Sequence, residues 1–179
     1  MEQFYPGKIM KFCPRCGSDR FTLEEDMSFL CGQCALHYYI NASAAVTAII
    51  ENEKDEILFT RRSQEPARGM LDLPGGFVDV LESAEDALKR EINEELNLEI
   101  SELRYIKSFP NRYLFNDLVY FTLDLVYRCS IKDMSGIRAA DDVSGFSFIH
   151  PGYINIDEIG LESVKNIINY FNELKNANT

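Results

Sequence analysis

The chain reads as an α/β domain, a mixed sheet between helical layers, preceded by a small zinc ribbon. Three observations lead there. Two Cys-x-x-Cys pairs fall before residue 40. Short apolar segments bounded by turn residues recur from residue 44 to residue 149. One strongly patterned helix lies among those segments and a second lies near the end, an arrangement that stacks a sheet against helices.

The ribbon comes first. The spacing is Cys13-x2-Cys16-x14-Cys31-x2-Cys34, and each pair brackets a tight turn, Cys13-Pro-Arg-Cys16-Gly17 and Cys31-Gly-Gln-Cys34. Two such knuckles aim four thiolates at one point, the donor set of a tetrahedral structural Zn2+ site with no open position for chemistry. Arg20 to Leu23 and Met27 to Leu30 are expected to form a short hairpin between the knuckles. That segment is too small for a core of its own, so the metal supplies folding energy. Four unrelated buried cysteines, or a redox pair, are the competing explanations. Cys129 lies outside the pattern and reads as a small core residue, and the isolated His37 and His150 read as structural.

The second region opens with a strand from Ala44 to Ile50, a turn at Asn52 to Asp55 and a strand from Ile57 to Thr60, a pattern that predicts a hairpin. An Arg-, Gln-, Pro- and Gly-containing loop runs from Arg61 to Leu71. Strands follow at Leu103 to Phe109, Leu118 to Tyr127 and Val143 to Ile149. Leu161, Val164, Ile167, Ile168 and Phe171 recur at helical spacing, which gives a final amphipathic helix and a frayed end.

Ser83, three residues before Asp86, marks the start of the patterned helix, and Asn97 can close it in the left-handed conformation. At about 100° per residue, Ala84, Ala87, Leu88, Ile92 and Leu96 form the apolar arc. Glu91 and Glu95 lie along its edge and Glu94 lies between them and Arg90. Three carboxylates at this spacing repel one another, and partial burial aggravates the repulsion. A solvated acidic face is the ordinary explanation of such a run. A hard divalent cation is the other, because it relieves the repulsion and also binds phosphate oxygens.

The stretch Gly76-x5-Glu82-x7-Arg90-Glu91-Ile92-x-Glu94-Glu95-x-Asn97-Leu98 resembles the Nudix box, the signature of the Nudix hydrolases, over 23 residues. One fixed position departs: Asn97 stands where the family has glycine. The resemblance implies an α/β/α sandwich and hydrolysis of a nucleoside-diphosphate-linked compound with Mg2+ or Mn2+. It implies that Glu91 and Glu95 are metal ligands, with Glu94 a ligand or proton acceptor. A carbonyl of Gly75 or Gly76 completes the metal shell, Glu82 binds metal or orients the loop, and Arg90 holds a carboxylate. A loop acid serves as general base, for which Asp141 and Asp142 are candidates. Arg61 and Arg62 are candidates to grip phosphate, with solvated strand-end charges as the alternative. Phe77, Arg112, Tyr113 and Phe115 are candidates for substrate contact.

A ribbon ahead of the box resembles the NADH pyrophosphatase branch, which implies NADH, NAD or ADP-ribose as substrate. That branch carries a tryptophan motif after the box. This chain contains no tryptophan, and Ser108-Phe-Pro-Asn-Arg-Tyr113 stands in its place. Two other readings stay open: a nucleoside-triphosphate pyrophosphatase, and a ribbon-bearing regulator that uses the fold as a ligand sensor. The expected division is 1–40 for the ribbon and 41–179 for the hydrolase domain, with a homodimer implied by the resemblance.

Composition narrows the partners. The net charge is −11 and the isoelectric point about 4.6, so nothing draws the chain generally toward nucleic acid or an acidic membrane, and a polyphosphate would need a cation between. No apolar run is long enough to span a membrane or act as a signal peptide. The expected location is the cytoplasm, where paired thiols stay reduced and bind metal.

Overall fold

A computed structural model of the chain describes residues 2–177. It divides into two units, one of residues up to Ala42 together with Arg112–Phe121, the other of Ser43–Asn111 with Thr122 onward.

In the first unit a single turn of helix, α1 (Pro6–Ile9), precedes three short strands, β1 (Phe21–Leu23), β2 (Ser28–Cys31) and β3 (His37–Tyr39). They form an antiparallel sheet in the order β1-β2-β3. The hairpin expected from the sequence is present. The third strand was not anticipated, because all three of its residues are exposed and carry no burial pattern. The core is minimal: Cys13, Phe21, Phe29 and Cys31, with Phe21 and Phe29 stacked at 4.7 Å. His37 accepts or donates at both ring nitrogens, to Ser28 at 2.7 Å and Tyr39 at 3.0 Å.

The second unit is built on two sheets, except that the tips of the two longest strands, within Arg112–Phe121, belong to the first. Strands β4 (Ser43–Ile50), β5 (Ile57–Arg62), β6 (Leu71–Asp72), β7 (Gly75–Phe77), β8 (Ile100–Phe115), β9 (Leu118–Ile131) and β10 (Val143–Ile149) are arranged as β7-β4-β9-β8 and β10-β5-β6. β4 runs parallel to β9 and antiparallel to β7, so the first sheet is mixed. The hairpin predicted between β4 and β5 is not formed. The Asn52 turn exists, its Oδ1 accepting from the amides of Lys54 and Glu56, but only an isolated Glu51–Ile57 bridge joins the strands. Each strand is apolar on both faces (Ile49 and Ile50, Leu58 and Phe59, all essentially buried), and each pairs deep inside its own sheet. β8 and β9 run longer than expected. They are joined through Asn116 and Asp117, both left-handed at φ 48° and 58°, which suits the twist of a two-residue hairpin. Pro110 is tolerated because β8 is an edge strand.

Strand alternation then sorts the core into two layers. Val46, Ala48, Ile50, Leu58, Tyr127 and Cys129 pack with Ala87, Leu88, Ile92 and Leu96 of helix α2 (Ala84–Leu96). Ile49, Phe59, Leu71 and Val126 pack with Val164, Ile167, Ile168 and Phe171 of helix α3 (Glu162–Ala177). The sheets therefore lie between two helices, the α/β/α order expected. Cys129 is a buried core residue as read. The frayed end expected after α3 lies outside the described residues. His150 caps the short helical turn Pro151–Tyr153, accepting from the Gly152 amide at 3.1 Å. No helix among the described residues is long and apolar enough to cross a membrane.

Candidate metal centre and active site

The four knuckle cysteines converge. Their sulfurs all lie within 4.8 Å of one another, with Cys13–Cys34 at 3.7 Å and Cys16–Cys31 at 3.6 Å. A tetrahedron of sulfurs each about 2.3 Å from zinc has edges of about 3.8 Å, so the donor set fits a four-sulfur ion. The knuckles achieve this with left-handed residues, Gly17 at φ 72° and Ala35 at φ 56°. Gly17 and Ala35 donate back to the Cys13 and Cys31 carbonyls at 2.8 and 3.0 Å. The Cys31 thiol is drawn down to about 6, chiefly by the Cys34 amide, which donates to its sulfur at 3.5 Å. That favours the thiolate a metal requires.

The acidic centre is built on α2. Ser83 caps the helix, its Oγ accepting from the Asp86 amide at 3.2 Å. Asn97 ends it at φ 55°, ψ 38°, the left-handed geometry the sequence allowed. Between these ends Arg90 is a hub. It grips Glu82 through two nitrogens, at 3.0 and 2.9 Å. It also donates to Glu91 at 2.8 Å, to Glu94 at 3.1 Å and to the Phe77 carbonyl at 3.1 Å. The grip holds the Glu82 carboxyl below its usual range and pushes the guanidinium further up.

Glu95 is buried at 7 % exposure, and its Oε2 accepts from the Gly75 amide at 3.0 Å. Burial pushes its carboxyl up to about 8; the Gly75 amide opposes this, while the charges of Glu91, Asp72 and Asp142 add to it. Burial also raises Glu91, against the pull of Arg90, and Glu94 and Asp141 raise it further. Gly76 leaves room for the Glu91 carboxylate, since a Cβ on it would stand 2.4 Å from Glu91 Oε1.

The structure therefore brings together Glu82, Arg90, Glu91, Glu94, Glu95, Gly75 and Gly76. It also brings Asp141 and Asp142 within electrostatic range. Their loop docks on the helix end, Ala140 donating to the Glu95 carbonyl at 2.9 Å and Arg138 to the Leu96 carbonyl at 3.1 Å. Asp72 was missed. It is buried, bound by Arg62 at 2.6 Å and by the Leu73 amide at 2.8 Å, and its own carboxyl is raised by burial against the Arg62 charge. The available signal was an acid between two leucines just before the glycine pair. Arg62 thus serves Asp72 and also donates to the Pro66 carbonyl at 2.6 Å. Arg61, the more exposed of the two, donates to the Gly69 carbonyl at 2.6 Å. Phe77 ends β7 beside this centre, 41 % exposed. Arg112 and Tyr113 fall in the unit that holds the ribbon, where Tyr113 stacks on Phe115 at 6.2 Å.

A family model described as the NUDIX domain matches residues 42–166. The NAD-capped RNA hydrolase NudC of Vibrio atlanticus is 27% identical over 144 residues, covering 79% of this chain and 53% of the relative. The NAD-capped RNA hydrolase NudC of Edwardsiella ictaluri is 29% identical over 131 residues, covering 73% and 50%. The chain thus spans about half the length of the curated relatives it matches. Among solved structures, a NUDIX hydrolase from Nitrosomonas europaea superposes with a TM-score of 0.65 at 22% identity, covering 88% of this chain and 87% of that one. That likeness concerns the fold.

Proposed function

The chain belongs to the Nudix family, and from that premise we propose that it is a metal-dependent pyrophosphohydrolase acting on a nucleoside diphosphate linked to a second moiety, a dinucleotide such as NADH or NAD, or ADP-ribose. The observation that carries the reading is the buried Glu95 and half-buried Glu91 beside the Gly75-Gly76 turn. Burial and mutual repulsion make both carboxylates costly as anions, and a divalent ion relieves both costs.

In this reading Glu91, Glu94 and Glu95, with a carbonyl of Gly75 or Gly76, hold Mg2+ or Mn2+. When bound, the ion neutralises the diphosphate and lowers the pKa of water. Arg90 and Glu82 fix the carboxylates in register. Asp141 or Asp142 takes the proton from the attacking water. Arg61 and Phe77 are assigned to substrate. The four cysteines hold Zn2+ structurally, in a ribbon of residues 1–40 ahead of a hydrolase domain of 41–179. We place the protein in the cytoplasm, where paired thiols stay reduced and bind metal. The substrate class draws its support from the relatives, which are named as hydrolases of NAD-capped RNA.

The test is a panel of NADH, NAD, ADP-ribose, a nucleotide sugar and nucleoside triphosphates, with magnesium or manganese and product identification. AMP with a second phosphorylated product is expected from a dinucleotide. Pyrophosphate released from triphosphates alone would replace this reading with a triphosphate pyrophosphatase, and no turnover of any member would leave a ligand sensor. Sizing the same preparation checks the homodimer.

A further inference from the structure

The mixed sheet carries one buried acid that the proposed chemistry does not use. Asp124 sits on β9, a central strand, with 7 % exposure. Carboxylates are scarce inside sheets, and burying one is costly unless it is paired. Among the described residues its hydrogen bond is from Thr122 Oγ1 to Oδ1, at 2.7 Å, and no cation forms an ion pair with it. Its own charge adds to the upward push on the Asp72 carboxyl. Thr122 turns one oxygen and leaves the other without a hydrogen bond among those residues.

The register shows what it faces. Ala45 pairs with Phe77 on one side and with Asp124 on the other, so the three side chains share one face of the sheet. It is the face on which Ile49 and Val126 pack against α3, at the end where that apolar filling stops. An exposed aromatic and a buried carboxylate thus stand two strand spacings apart, about 9.5 Å, across the methyl group of Ala45. Ser43 pairs with Thr122 in the next row of the same face. Phe77 lies two residues from Gly75, whose amide holds Glu95. This row of the face therefore adjoins, through the chain, the turn that holds Glu95.

We propose that Asp124 is a specificity-determining residue that accepts a hydrogen bond from the amino group of the substrate ring lying over Ala45 and against Phe77. The inference rests on the hydrolase reading above. The donor has the form of an NH2 on a planar heterocycle, which both the adenine amino group and the nicotinamide carboxamide supply. A site whose buried acceptor expects a donor rejects an analogue that presents an oxygen there, because two acceptors are then left facing each other.

The experiment compares kcat/KM for NAD, for its hypoxanthine analogue and for its nicotinic acid analogue, in the wild-type protein and in Asp124→Asn. Wild type is expected to disfavour one analogue by roughly tenfold or more, and which one identifies the ring. Asp124→Asn keeps the shape but offers both a donor and an acceptor, so the penalty should shrink to about twofold. Flat ratios in the wild type, or an unchanged penalty in a folded Asp124→Asn protein, would overturn the proposal while leaving the hydrolase reading intact. If Asp124→Asn does not fold, Thr122→Val is read in its place: it frees the carboxylate to rotate, and an unchanged penalty there overturns the proposal equally. Failure of the wild type to cleave any of the three removes the hydrolase reading and this inference together.

Discussion

The backbone amide of Gly75 donates to the Glu95 carboxylate at 3.0 Å across 20 residues of sequence. This bond ties the glycine turn to the last full turn of α2 and holds a buried acid whose pKa burial has pushed up to about 8. A carboxyl raised above its unfolded value near 4.3 keeps a proton that the unfolded chain releases. Its stabilising contribution is complete below the unfolded pKa and is lost as pH rises through about 8. Protein free of magnesium and manganese should therefore lose thermal stability between about pH 5 and pH 8, and Glu95→Gln should flatten that slope. The same variant should lose activity by more than the roughly 10- to 100-fold typical of removing an outer-shell partner of a metal. Melting curves across pH and initial rates check both. An equal slope in the variant, or full activity, would contradict the assignment.

The ribbon offers an independent test. Its apolar core is four residues, two of them cysteines of the metal set, so little besides the ion holds it. Cys16→Ser removes one sulfur from the tetrahedron while leaving Phe21 and Phe29 stacked. The expected result is loss of bound zinc by elemental analysis and early protease cleavage before residue 42, with the second unit's melting unchanged. Full zinc content in the variant would show that the four sulfurs do not share an ion.

Much of this was legible in the chain because the signals were local. Ser83, Asp86 and Asn97 bracket α2 through contacts within a few residues, and the apolar arc of Ala87, Leu88, Ile92 and Leu96 follows from helical geometry alone. The clustering of Glu91, Glu94 and Glu95 follows from the same spacing. What escaped depends on pairing between distant strands. Nothing in the Ile49–Asn52–Ile57 stretch reveals that β4 and β5 enter different sheets. Asp72 and Asp124 look like ordinary polar positions until the register buries them. Nothing local marks Asp72 as a partner of Arg62, because it lies ten residues away on a neighbouring strand.

That partnership is itself testable. Arg62 and Asp72 form an ion pair at 2.6 Å with side-chain exposures of 18% and 11%. Removing only the cation strands a buried carboxylate, which typically costs about 3–5 kcal/mol. Arg62→Ala should show a loss of that order in chemical denaturation, and Arg62→Met combined with Asp72→Asn should recover much of it. If Arg62→Ala instead melts like wild type and raises only KM, the arginine serves the substrate and not the fold.

Gly75 and Gly76 separate the fold from the site within two adjacent residues. A Cβ on Gly75 would lie 2.0 Å from the Val46 carbonyl oxygen, and the residue has φ of +143°. Both obstacles are backbone, so Gly75→Ala should unfold or grossly destabilise the second unit. A Cβ on Gly76 meets the Glu91 carboxylate, at 2.4 Å from Oε1, and a side-chain end can swing away. Gly76→Ala should therefore keep its melting temperature within a few degrees, a change of about 1 kcal/mol or less. It should lose most activity because Glu91 is pushed out of line with Glu95. Circular dichroism melts and magnesium-dependent rates on both variants distinguish the outcomes. A folded and fully active Gly76→Ala protein would mean that the position of Glu91 beside the turn has no part in the reaction.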